Sequence, residues 1–259
     1  MKLALGLGIN QRAENLEGMG GFDIGGLSGL QTWFKFNTNI STADRDSDGD
    51  NDITWTSSHT DGRTASQSTD AKEPTTTSGY IHFDGTDDIL NISTDITLNQ
   101  FTLFIAVDFD AFTNETVLGR QGDSQHFLRF GFGNNAANFR FRRISGTYNQ
   151  DGTMSEDLTS GAVNLITIKC FETPSSGGDT TLQIERSTKS GSTITTNQVY
   201  SNVDTTFKHG QDFILSQIGA QATTGGVADM KLYEVAMFNA LLADADIQNV
   251  QNDILNRTS

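Results

Sequence analysis

The stretch DRDSDGDNDITW, Asp44 to Trp55, sets five aspartates on alternate positions. A hard divalent cation such as calcium takes about six to eight oxygen ligands, and a loop of alternate carboxylates can curl to supply them. Asp44, Asp46 and Asp48 match the first, third and fifth ligand positions of a D-x-D-x-D-G calcium loop. Gly49 supplies the sharp turn, Asp50 can offer its backbone carbonyl, and Asp52 matches the ninth position. The bidentate glutamate that the full pattern requires at the twelfth position is replaced by Trp55, and no helical pattern flanks the loop. The plain alternative is a solvated acidic loop. Five carboxylates within nine residues repel one another unless a cation sits among them, so the expectation is a structural calcium that orders a loop too charged to order itself.

A second cluster has the opposite sign. Arg120, Arg129, Arg140, Arg142 and Arg143 fall within 24 residues that contain one acid, Asp123. In HFLRFGF, alternation puts Leu128, Phe130 and Phe132 on one face and Phe127 and Arg129 on the other. In NFRFRRI it separates Phe139 and Phe141 from Arg140 and Arg142. If the two runs pair as a hairpin, Arg129 shares a sheet face with one or both of Arg140 and Arg142. That face is either a solvated or inter-sheet surface, or a cationic strip that docks an acidic partner surface or an anionic glycan. Among aromatic residues, Trp33 lies in an alternating strand and is expected in the core. Trp55 would pack beneath the acidic loop or face solvent, and Tyr148, in the turn-rich SGTYNQDG, is expected to be exposed.

Catalytic patterns are missing from the sequence. The eight glutamates are scattered, with no paired arrangement that would serve a glycosidic bond. The four histidines are far apart, without an H-x-H or H-x-x-x-H pair. The expectation is a protein that is not an enzyme. A second acidic group, Asp84, Asp87 and Asp88, is explained more simply by the Asp84-Gly85 turn.

The elements that must position these residues read as strands. LQTWFKFN, DITWTS, FTLFIAVDFD, HFLRFGFG with NFRFRRIS, VNLITIKCFE with TTLQIERST, DFILSQIGA and DMKLYEVAMFN are apolar or alternating runs separated by turn residues. YIHFDGTDDILNI reads as a hairpin over Asp84-Gly85. The final LLADADIQNVQNDIL switches to helical spacing, with Leu242, Ile247, Val250 and Ile254 on one face and Asp244 and Asp246 in the first turn. Two prolines in 259 residues, with abundant Gly, Ser, Thr, Asn and Asp, suit short strands and tight turns. The predicted fold is an all-β, two-sheet antiparallel jelly-roll sandwich over residues 30–259 with one short C-terminal helix. A glycine-rich arm, residues 1–29, precedes it.

Charge narrows the partners. With 32 acidic and 17 basic residues the formal net charge is -15, which repels nucleic acid and anionic membranes. No apolar run approaches the length of a transmembrane helix. The N-terminal apolar stretch is too short and glycine-rich for a signal peptide, so the expectation is a chain starting at its own Met. The single cysteine, Cys170, sits in an apolar run and is expected in the core.

YIHFDGTDDILNI followed by FTLFIAVDF resembles the early strands of concanavalin A-like jelly rolls of the laminin-G type, in which an FDG-x-x-D turn precedes a long apolar strand. GGVADMKLYEVAMFNALLADADIQNV is similar to that family's closing strand and acidic-capped helix. The layout, with a W-x-x-x-x-x-D-G loop before the FDG turn and a glycine-rich start, is similar in style to bacteriophage structural proteins such as decoration proteins and fibres. The resemblance implies a virion protein with a lectin-like surface. Its expected partners are other virion proteins, further copies of itself as a homo-oligomer, and cell-surface glycans. The alternative is a free carbohydrate-binding or adhesion module, and a third reading is a glycan-active enzyme whose site escapes motif recognition.

Overall fold

The computed structural model describes residues 22–44, 52–77, 79–143, 149–173, 179–208, 212–222 and 226–258. In chain order the first strands are β1 (Leu30–Phe34), β2 (Ile40–Ala43), β3 (Asp52–Thr56), β4 (Thr64–Gln67), β5 (Thr75–Thr77) and β6 (Tyr80–Asp84). The central ones are β7 (Leu90–Leu98), β8 (Phe101–Phe109), β9 (Glu115–Arg120), β10 (Asp123–Phe130), β11 (Asn138–Arg143) and β12 (Asn149–Thr153). The last are β13 (Asn164–Glu172), β14 (Asp179–Ser190), β15 (Thr193–Lys208), β16 (Phe213–Ile218) and β17 (Asp229–Phe238), before helix α1 (Asp244–Thr258).

These strands form two antiparallel sheets. The eight-stranded sheet runs β15-β14-β13-β8-β17-β6-β5, with β1 also paired to β17. The nine-stranded sheet runs β12-β11-β10-β9-β16-β7-β4-β3-β2. The fold is therefore the expected two-sheet sandwich with a C-terminal helix. Inward-facing Phe83, Phe101, Phe109, Phe130, Phe139 and Phe213 fill the space between the sheets, and Cys170 is buried with them, its thiol pushed up to about 11 by that burial.

One expected hairpin is not formed. β6 pairs with β17 in one sheet and β7 with β16 and β4 in the other, so the Asp84-Gly85 turn starts a crossing between sheets. The turn chemistry is as read, with Gly85 at φ +74 and Thr86 N–H donating to Asp84 Oδ1. A local turn signal reports a chain reversal but not which strand lies across it.

A second core lies on the far side of the eight-stranded sheet. Phe104 and Ala106 of β8, Leu165 of β13 and Ala236 and Phe238 of β17 point outward and meet Ile247, Val250, Ile254 and Leu255 of α1. Ile24 is fully buried in the same cluster, and Trp33 lies there as a core residue, as expected. Glu234, wholly buried, ties this layer together: it accepts from Trp33 Nε1 (2.6 Å), Phe36 N–H (3.2 Å) and Arg257 Nε (2.8 Å). No helix among the described residues is long and apolar enough to cross a membrane.

Strand β15 forms an edge of its sheet for 16 residues. Its register with β14 shifts between the pairs Ile184↔Tyr200 and Glu185↔Gln198, leaving Val199 as a bulge. Ser155 N–H donates to the Val199 carbonyl there (2.8 Å).

Candidate functional site

The aspartate run closes a hairpin. β2 pairs with β3 so that Ala43 faces Asp52, and residues 44 to 51 join them. Asp44 is exposed and Asp52 is 97% buried at the foot of β3 (3% relative exposure). Asp46, Asp48 and Asp50 lie outside the described residues, as does Tyr148. Trp55 does not offer a binding surface. It is fully buried against Phe34, and its Nε1 donates to the carbonyls of Lys35 and Thr38, both at 3.2 Å. On β3 the inward positions are Ile53 and Trp55, and an indole turned inward needs carbonyls for its N–H.

The two arginine-bearing runs do pair, and both Arg140 and Arg142 join Arg129 on one face. β10 and β11 pair with Arg129 opposite Arg140 and Phe127 opposite Arg142, on the outer face of the nine-stranded sheet. Arg129 lies 4.9 Å from the Phe127 ring centroid and Arg142 lies 5.6 Å from it. Arg143 turns inward instead, donating to the Asn99 carbonyl and Cys170 Sγ.

Phe132 departs from the expected alternation. Gly131 sits at φ +69 and swings the chain, so Phe132 leaves the inner face and stacks under Arg140, 3.6 Å from its guanidinium carbon. A side chain at Gly131 would collide with the backbone of Phe112, and this close approach fixes the bend.

Two partners of the strip were not visible in the sequence. Asp151 on β12, directly opposite Arg140, accepts from Arg140 Nε (2.7 Å) and Nη2 (2.6 Å) and from Arg142 Nη1 (3.2 Å). Gln221, in the loop after β16, accepts from Arg129 Nη2 (2.6 Å) and donates to the Ser124 carbonyl. The other described partner of Arg129 is Thr116 Oγ1 at 3.0 Å, so its contacts are neutral. Burial, with Arg140 and Arg142 alongside, lowers the Arg129 pKa to about 10. Among the described residues Asp151 thus pairs with Arg140 and Arg142, while Arg129 beside them has no carboxylate in hydrogen-bond contact.

The strip ends a longer row. Ser41, Thr54, Ser66, Asn91, Gln217, Gly119, Phe127 and Arg142 are successive register partners across the sheet. Gln217 Nε2 donates to Asn91 Oδ1 (3.1 Å), while its buried Oε1 has no partner among the described residues.

A third charged region rims the FDG turn. The carboxylates of Asp84, Asp87 and Asp88 converge, with ligand oxygens within 4.8 Å of one another. Asp88 is buried and accepts the Asp84 N–H at 2.8 Å. Its pKa rises to about 6, first through burial, against that backbone hydrogen bond, with the neighbouring carboxylates adding to it. His82, Asp110 and Asp229 form a second group nearby. Lys231 already contacts Asp110 there, and Asp229 is raised by burial and by the carboxylates of Asp110 and Glu115. An ammonium within the second group competes with a cation, so the all-carboxylate turn is the better donor set for calcium. Glu115, fully buried, spends its carboxylate on the N–H groups of Thr113, Asn114 and Asp229.

No protein-family model matches the chain, and no curated protein does either. Solved structures do. The receptor binding domain of botulinum neurotoxin D superposes with a TM-score of 0.52 at 11% identity, over 86% of this chain and 52% of that one. A GH54 α-L-arabinofuranosidase soaked with a cyclic sulfate inhibitor gives 0.50 at 11% identity, over 89% of this chain and 60% of its own. The chain spans between half and two thirds of either, and at these identities the likeness is one of fold.

Proposed function

We propose that the chain is a carbohydrate-binding sandwich module carried on a virus particle, and that it binds rather than catalyses. The observation that carries the reading is the unequal treatment of the two sheets. Helix α1 and residues around Ile24 cover the outer face of one sheet with apolar side chains, while the outer face of the other bears a polar register row ending in arginines. A sheet face furnished with amides, hydroxyls and guanidiniums suits a polyhydroxylated ligand. The fold is shared with a receptor-binding domain and with an arabinofuranosidase, which fits the reading without carrying it. The virion setting is supported by the sequence layout: the glycine-rich start, the W-x-x-x-x-x-D-G loop and the FDG turn. Calcium, in this reading, clamps the aspartate loop or the Asp84–Asp88 turn.

The module is tested by glycan-array binding of the purified protein, with Asn91→Trp, on β7 beside the central strand, obstructing the middle of the face. Binding that the substitution removes is expected; an array with no hits overturns the reading. For the setting, co-sedimentation of the chain with particles is expected, together with its loss when residues 1–21 are deleted.

A further inference from the structure

We propose that the Arg129–Arg140–Arg142 strip takes an acidic sugar through its carboxylate, and that Asp151 is a built-in competitor for the same guanidinium forks. The inference rests on the carbohydrate-binding reading and specifies its ligand.

The chain as a whole repels anions, with a net charge of -15. Within that field the strip sets Arg140 and Arg142 on one carboxylate, Asp151, with Arg129 opposite Arg140 and the buried Glu115 behind it. Arg129 is held by a hydroxyl and an amide, which position it without neutralising it. The guanidinium fork matches a carboxylate with two parallel hydrogen bonds, and Arg140 already shows that mode by gripping both oxygens of Asp151. Asp151 is the most exposed member of the cluster, its side chain 42% accessible against 20% for Arg140 and 11% for Arg142. It therefore stands at the lip, where an incoming carboxylate would meet the same donors.

The aromatic rings argue for charge rather than stacking. Phe127 has guanidiniums of Arg129 and Arg142 over it, and Phe132 carries that of Arg140. Phe127 is nearly inaccessible at 4% relative exposure. A neutral sugar that needs a bare ring as platform has little to rest on, whereas an acidic sugar has three donors.

The test is calorimetric titration of the whole protein with an oligouronate, a sulfated oligosaccharide of the same length and a neutral one, at low and high salt. The oligouronate is expected to bind, more weakly as salt rises. Arg140→Ser with Arg142→Ser should weaken it by tenfold or more, with thermal melting as the control for folding. Asp151→Asn should tighten it by about fivefold, a gain that misfolding cannot produce. Preference for the neutral or the sulfated oligomer, or weaker binding by Asp151→Asn, overturns the inference and leaves the carbohydrate-binding module standing. Failure of every oligomer, with an array that is also blank, removes both.

Discussion

On the eight-stranded sheet the outward positions are Phe104, Ala106, Leu165, Ala236 and Phe238, and a helix lies over them. On the nine-stranded sheet they include Arg129, Arg140, Arg142, Asn91 and Ser66, and short loop segments reach them: Gln221 bonds Arg129, Ala220 lies against Gly119, and Gly226 lies against Arg129 and Thr116. Both sheets turn their inner faces to one core, so the difference lies in what alternation sends outward. Apolar outward residues recruit a further layer, which hides backbone and charge alike: Glu234 is sealed in with donors on both its oxygens. Polar outward residues recruit no apolar layer: Ser66 and Asn91 stay partly exposed, while Gln217, Phe127 and Arg142 are buried further along the row. A two-layer fold can thus make a second core on one side and a ligand surface on the other without changing its topology.

The helix-covered face depends most on Glu234. Glu234→Ala leaves the Trp33 indole without its acceptor and Arg257 with Asp253 alone, and should cost about 3 kcal/mol in denaturant unfolding. A loss below about 1 kcal/mol would mean that apolar contacts alone hold the helix to its sheet.

A smaller effect is expected at the rim. Burial raises Asp88 from 3.8 to about 6, so the folded state favours its protonated form. Its contribution to stability is complete below pH 3.8 and is lost as pH rises through about 6. Asp88→Asn should therefore raise the melting temperature at pH 7 by about 2–4 °C, the equivalent of about 1 kcal/mol. The variant and the parent should converge near pH 4. Calcium at pH 7 should stabilise the parent and not the variant; equal shifts would take the cation away from this turn.

The smallest stability change is expected on the open face. Asp151→Asn removes two partly exposed ion pairs and should cost about 1 kcal/mol or less by thermal melting. A larger loss would mark the strip as a structural element and blur its contrast with the helix-covered face.

Much of this was legible in the sequence. Period-two alternation in HFLRFGFG and NFRFRRIS put Arg129 on a face with one or both of Arg140 and Arg142 if the runs paired, and the pairing of β10 with β11 places all three together. The helix was equally plain from Ile247, Val250 and Ile254. What escaped was information held at long range. Asp151 lies in NQDGT, which has no apolar rhythm, and it meets Arg140 only because β12 happens to pair with β11. β4, β5 and β15 are polar strands whose pairing, not composition, makes them strands. Trp55 follows the acidic loop in sequence, but its position on β3 decides that it turns inward.

The bulge at Val199 governs how far the eight-stranded sheet extends. A sixteen-residue edge rich in threonine, with no proline, is the kind of strand that invites a neighbour to add itself. The register breaks at Val199 midway and again between Asp204 and Lys208, and the Ser155 amide already holds the Val199 carbonyl an incoming strand would need. An added strand would lose its ladder at that point and could match only short stretches to either side. A second copy meeting this edge would therefore find no continuous ladder to extend, which disfavours edge-to-edge fusion of the sandwiches.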